Sequence, residues 1–151
     1  MTPEEMRRVL LTSEHTDLPN QRAFDEGPQS NFVAMLDLNG LKSLNDHHGY
    51  EAGDILLRRL AETLVSVGLD AYHDKGDEFF CKGESLAELN TKLTKAQQVL
   101  RNQPFAVQSI QNGRITSIEG GDFCFGIGHN TVEAEQSLKH QKEMKKFLNQ
   151  E

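Results

Sequence analysis

Long apolar runs, an excess of basic residues and paired cysteines are all missing from this 151-residue sequence, and each absence removes a class of function. No stretch approaches the roughly 20 apolar residues that cross a bilayer, so no membrane span is expected. No leader of the secretory type precedes the first helix-like segment, so no signal peptide is expected either. The formal charge is −7, from 16 basic and 23 acidic residues. A general nucleic-acid binder needs a basic face for phosphate contacts, so nucleic acid is not an expected partner. A nucleotide substrate stays open, because a few lysines and a bound Mg²⁺ neutralise a triphosphate locally. The two cysteines, Cys81 and Cys124, lack CxxC spacing and sit in apolar strand-like runs. They read as buried free thiols in a reducing cytoplasm, not as a disulfide or a zinc site.

What is present is the balance of an ordinary globular domain, 36% hydrophobic and 26% charged, long enough to bury a core. Residues 3–12 begin with Pro and acids, the pattern of a helix start. HTDLPNQRAF then reads as a loop, and NFVAMLDL (31–38) as a buried strand. Ala52–Val67 carries Leu56, Leu60, Leu64 and Val67 on one helical face. Residues 69–82 read as a hairpin around Lys75-Gly76. Ser85–Gln103 is a second amphipathic helix, 105–118 a hairpin around Asn112-Gly113, 123–128 a buried strand, and Thr131–Leu148 a last helix capped by Asn130 or Thr131. The order α-β-α-β-β-α-β-β-β-α predicts an α+β fold with helices packed on a mostly antiparallel sheet.

Asp37 ends its strand, and Asp77 and Glu78 follow the Lys75-Gly76 turn. If the hairpin neighbours the first strand, Asp37 and Asp77 converge with room for a hard divalent cation. Mg²⁺ favours such a place: one or two carboxylates, a carbonyl and substrate phosphate oxygens. An isolated DEF tripeptide would be read only as solvated turn residues. The wider pattern says more. From Asp37 the chain runs DLNGLKSLNDHHGYEAGDILLRRLAETL and then KGDEF, preceded by TDLPNQRAF (16–24) and followed by FGIG (125–128) and AEQSLKHQKEMKK (134–146). Across about residues 13–147 it resembles the GGDEF domain of diguanylate cyclases, with every motif in order.

That resemblance implies a nucleotidyl-cyclase palm with a ferredoxin-like βαββαβ core. It implies one domain over 1–151: a short N-terminal helix and loop over 1–30, a catalytic core over 31–148, and no sensor domain. The implied activity joins two GTP molecules into cyclic di-GMP and pyrophosphate. A 3′-hydroxyl attacks an α-phosphate at a C2 homodimer interface, with Mg²⁺ or Mn²⁺ as cofactor. Position by position, Asp37 and Asp77 match metal ligands, with the Leu38 carbonyl a third and Glu78 a further contributor. Asn45 and Asp54 match the pair that reads guanine, whose N1–H and N2–H₂ edge suits a carboxylate acceptor. Lys42, Lys142 and Lys146 match triphosphate binders, and Gly76 lets the nucleotide approach the turn. Lys139, Lys142 and Lys146 share one helical face.

The chain departs from the family pattern at several positions. Lys75 stands for the first Gly of the signature, where it either swings away, adding a phosphate contact, or obstructs the pocket. Asn39 stands for the second Asp of D-x-D, Gly40-Leu41 for a common aromatic, Tyr50 for His, His73 for a frequent Arg, and Lys146 for an Arg that would bind bidentately. Ser66 and Leu69 occupy the inhibitory R-x-x-D positions, so product inhibition there is not expected. His47 and His48 read as loop residues. Control by expression, dimerisation or a separate regulatory partner is expected. The alternatives are a catalytically silent GTP-binding domain and a cyclase making another cyclic nucleotide, the latter opposed by Asp54.

Overall fold

The computed structural model describes residues 1–74, 76–108 and 112–149; Lys75, with both alternatives for its side chain, lies outside them. Strand β1 (Phe32–Leu38) carries the fold, because it is central and its two faces are both covered. It pairs antiparallel with β3 (Glu78–Gly83) on one side and β6 (Phe123–Gly128) on the other, and β2 (Asp70–His73) adds to β3. The resulting order is β2-β3-β1-β6. Helices α3 (Leu41–His48) and α4 (Tyr50–Ser66) connect β1 to β2, and α5 (Leu86–Arg101) connects β3 towards β6. This is the split βαββαβ arrangement of a ferredoxin-like α+β fold.

Side chains alternate between the faces of a strand, and the two faces of β1 meet different helices. Ala34, Leu36 and Leu38 belong to one buried cluster with Leu56, Leu60 and Leu64 of α4 and Leu89, Leu93 and Leu100 of α5. The helical spacing read from the sequence therefore faces the sheet. Val33 and Met35 point the other way, into a smaller cluster with Phe24, Tyr72, Phe80, Ala134 and Leu138. The last two come from α6 (Thr131–Asn149), which can lie close on β6 because Gly126 has no side chain. A methyl group at Gly126 would overlap the backbone of Ala134 and Leu138.

Several expectations need correction. The segment HTDLPNQRAF (15–24) is not all loop: Gln21–Glu26 is a short helix, α2, whose start is capped by the Asn20 side chain accepting a hydrogen bond from the Ala23 amide. His47 and His48 lie in the last turn of α3, not in a loop. The hairpin of β4 (Phe105–Gln108) and β5 (Ile115–Ile118) forms its own two-stranded sheet beside the main one, and residues 109–111 of the expected strand lie outside the described residues. Cys81 is fully buried, and that burial pushes its thiol pKa far up, whereas Cys124 is only half-buried. The first helix, α1 (Pro3–Leu11), forms with a Thr2–Glu5 capping box but buries none of its side chains. Asn130 caps α6 by accepting from the Glu133 amide at 2.9 Å.

Lys82 was not singled out by its sequence context, yet it is buried. Its Nζ donates to the Phe24 and Pro28 carbonyls at 2.7 and 2.9 Å and lies over the rings of Phe24 and Tyr72. It ties α2 and the segment after it to β3. Among the described residues no helix is long and apolar enough to cross a membrane.

Candidate functional site

The register of β1 and β3 sets the acids. Asp37 stands opposite Glu78, and the Leu38 amide donates to the Asp77 carbonyl at 3.2 Å. The two acid-bearing segments thus meet at one end of the sheet, as the sequence reading required. Asp37 follows Val33 and Met35 on the α6 face, while Ala134, Leu138 and Lys142 follow one another at four-residue steps along α6. The consequence is direct contact: Lys142 Nζ donates to Asp37 Oδ2. The Asp37 side chain is 16% exposed, so this ion pair sits at the edge of the core.

The other oxygen, Asp37 Oδ1, is buried and has no hydrogen-bond partner. Among the described residues four buried side-chain polar atoms share that condition: Asp37 Oδ1, Asn39 Nδ2, Asn45 Oδ1 and His48 Nδ1. All four fall between residues 37 and 48. Buried polar groups are normally paired, so each of these four leaves hydrogen-bonding capacity open to water, an ion or a ligand. A cleft of about 400 Å³ adjoins it, lined in part by Asn39, Gly40, Leu44 and Asp122.

Away from the acids, α3 and α4 meet at Gly49, and Asn45 packs on Gly53, immediately before Asp54. A methyl group at Gly53 would overlap the Asn45 carboxamide, so the glycine is what lets Asn45 of α3 pack against α4 one residue before Asp54. Asp54 is half-exposed, with its Oδ1 3.7 Å from His15 Nδ1. His15 belongs to the loop 13–19, whose carbonyl at His15 also accepts from Arg58 Nε at 3.3 Å.

Of the remaining expected residues, Gly76 sits in the turn before β3 with open space about its Cα, Lys42 is exposed on the first turn of α3, and Lys146 is exposed on α6. The stripe on α6 divides: Lys142 meets Asp37, whereas Lys139 lies near Glu135 at 3.9 Å. Among the described residues no three His, Cys, Asp or Glu side chains are gathered closely enough to hold a metal. What the site offers a cation is the chemistry of one buried, unpaired carboxylate oxygen, Asp37 Oδ1, on a strand end whose backbone partner is Glu78.

Residues 10–146 match the diguanylate cyclase, GGDEF domain family. The chain belongs to the GGDEF family. It is 38% identical over 85 residues to the diguanylate cyclase VdcA of Vibrio cholerae, covering 49% of this chain and 25% of that protein. It is 29% identical over 117 residues to the diguanylate cyclase DgcZ of Escherichia coli, covering 70% of this chain and 37% of that one. The chain therefore spans well under half the length of either relative. Among solved structures it resembles the diguanylate cyclase SiaD from Pseudomonas aeruginosa, solved with its activator SiaC, at TM-score 0.75 and 19% identity over 93% of this chain and 61% of that one. It also resembles the GGDEF domain of DgcB from Caulobacter crescentus, solved with c-di-GMP, at TM-score 0.65 and 19% identity over 86% and 84%. At these identities the likeness speaks for the fold.

The sequence reading passed over His73 except as a departure from the pattern, and it passed over Ser13 and His15. His73 is fully buried at the end of β2, with its ring stacked on Phe79 at 4.3 Å. Burial lowers its pKa. The available signal was alternation: Ala71 and His73 share the inward face of β2, while Tyr72 faces α2.

Proposed function

We propose that this GGDEF chain is a diguanylate cyclase that condenses two GTP molecules into cyclic di-GMP and pyrophosphate. The observation that carries the reading is Asp37 Oδ1, a buried carboxylate oxygen without a partner, on a strand end facing Glu78 and beside a lysine. Asp37, Asp77, Glu78 and the Leu38 carbonyl would hold Mg²⁺ or Mn²⁺. When bound, the ion lowers the pKa of the attacking hydroxyl and neutralises charge on the phosphates. Lys42, Lys142 and Lys146 hold the triphosphate as point charges, and Gly76 lets it approach the turn. Asp54 accepts from the guanine N1–H and N2–H₂ groups, and Asn45 meets the acceptor edge. Adenine presents no such donor pair, which favours GTP.

The 3′-oxygen of one nucleotide bonds to the α-phosphorus of the other, the bond to pyrophosphate breaks, and the hydroxyl proton passes to solvent. The step occurs twice. Each domain orients one GTP, so two copies face each other about a twofold axis, and proximity supplies much of the rate. Residues 31–148 act as the catalytic core, the site is cytoplasmic, and expression, dimerisation or a separate regulatory partner controls encounter of the two copies.

The test is to incubate purified protein at high concentration with GTP or ATP and Mg²⁺ or Mn²⁺, and to identify products by mass spectrometry. Cyclic di-GMP from GTP alone is the expected result. No cyclic product at any protein concentration overturns the reading, and an adenine-containing cyclic product would reassign the substrate.

A further inference from the structure

The loop 13–19 is folded on itself before it touches anything else. The Ser13 amide donates to the Leu18 carbonyl at 2.7 Å, the Asp17 amide returns to the Ser13 carbonyl at 3.0 Å, and Thr12 bridges Pro19. This closed loop is fastened to the end of β2 chiefly at His73, with the Asp74 carbonyl a longer second contact 3.5 Å from Ser13 Oγ. The His73 amide donates to the Pro19 carbonyl at 2.9 Å. Its ring makes the rest of the attachment. Nδ1 lies 2.9 Å from Ser13 Oγ and 3.3 Å from Thr16 Oγ1, while Nε2 lies 3.0 Å from the Gly76 carbonyl.

The chemistry of those partners assigns the proton. A carbonyl oxygen only accepts, so Nε2 carries the hydrogen and donates to Gly76. The hydroxyls can donate, so Nδ1 is the acceptor, with Ser13 the nearer donor. The neutral ring is therefore used at both ends, and it is enclosed, with stacking on Phe79 fixing its plane. Gly76 immediately precedes Asp77 in the signature turn. At the far side of the same loop, His15 lies beside Asp54. A continuous path of contacts thus runs from Asp54 through His15 and the loop to Ser13 and Thr16, across the His73 ring, and into Gly76 and Asp77.

We propose that His73 is a positioning residue for the reaction: its two ring nitrogens fasten the signature turn at Gly76 to the loop at Ser13 and Thr16. It thereby holds Asp77 on the metal side in step with Asp54 on the guanine side. His73 touches neither nucleotide nor metal. The inference rests on the assignment of Asp77 and Asp54 to those two sides, and it adds a dependence of metal binding on a residue outside the site.

The test compares wild type with His73→Phe, which keeps a ring on Phe79 and removes both nitrogens, and with His73→Gln, which restores an N–H near the position of Nε2. Mn²⁺ binding in the presence of GTP is followed by electron paramagnetic resonance, which requires no turnover, and folding is checked by circular dichroism. Loss of a buried hydrogen bond at Gly76 weakens Mn²⁺ binding about tenfold in His73→Phe, and His73→Gln recovers most of it. A His73→Phe protein that binds Mn²⁺ as wild type does overturns the proposal. So does a folded His73→Gln no better than His73→Phe. Should His73→Phe fail to fold, His73→Gln alone decides, with Ser13→Ala in that background: binding near wild type for the first, and a further loss on freeing the loop, are expected. Absence of either overturns the coupling. Failure of the cyclase reading shows separately, as wild type that binds Mn²⁺ with GTP yet makes no cyclic product.

Discussion

The two halves of the site are built in different ways. The acid half stands on strands: Asp37 and Glu78 are fixed by a register of six paired residues between β1 and β3, and Lys142 by the packing of α6 on that sheet. The half at Asn45 and Asp54 stands on helices and a loop: Asn45 lies on the eight-residue α3, Asp54 is half-exposed near the start of the core-packed α4, and the two side chains rest against Gly53 and His15. Strand register is over-determined by core packing, whereas half-exposed side chains and loops are held by fewer contacts. The acid half is therefore expected to be the more rigid, and the half at Asn45 and Asp54 the one where substitutions shift affinity by degrees.

The largest effect expected from breaking this contrast is at Asp37. Asp37→Ala removes the buried acceptor, and the several kcal/mol a catalytic metal contributes to charge stabilisation correspond to a fall of about a thousandfold in product formation. The fold should survive, because the side chain caps a strand end and does not fill the core; a thermal melt beside the mass-spectrometric assay checks both. An activity loss under tenfold would place the metal elsewhere. On the other half, Asp54→Asn should cut the preference for GTP over ATP about ten- to hundredfold, the worth of a hydrogen bond to a charged group. Competition of the two nucleotides measured at fixed Mg²⁺ reads it directly. Gly53→Ala should act more gently still. It forces Asn45 aside, and overpacking of one methyl raises the KM for GTP about tenfold while leaving the metal requirement near wild type. If the metal requirement moved equally, the two halves would not be separable.

The same contrast explains what could be read from the sequence. Strand β1, the hairpin after it and the leucine faces of α4 and α5 follow from apolar periodicity, and pairing of β1 with β3 then brings Asp37 to Glu78 without further information. The resemblance supplied roles that spacing could not. Neither source found α2, whose start depends on one side-chain cap at Asn20 within a segment of turn-forming residues. Nor did they place β4 and β5 apart from the main sheet, since alternation within a hairpin says nothing about its neighbours. His73, Ser13 and His15 are 60 or fewer residues apart in sequence and meet only through the tertiary fold. The contact of Lys142 with Asp37 spans 105 positions and needs the glycine-lined approach of α6 to β6.

The smallest effect expected is on stability against pH, and it sharpens the role of the junction between the halves. Burial lowers the His73 pKa below its ordinary value of 6.5, with the Gly76 carbonyl opposing in part and His15 adding to the lowering. The unfolded chain therefore binds a proton near pH 6.5 that the folded chain refuses. The stability associated with neutral His73 is fully present above about pH 6.5 and is lost as the pH falls below it, until the folded-state pKa is reached. Melting temperatures measured between about pH 7.5 and pH 5.5 should thus fall more steeply for wild type than for His73→Gln, whose amide does not titrate. The difference between the two curves isolates His73 from every other group that titrates over the same range. Parallel curves would mean that the ring accepts its proton in place, with Ser13 and Thr16 turning to receive it, and that the junction holds through either form of the imidazole.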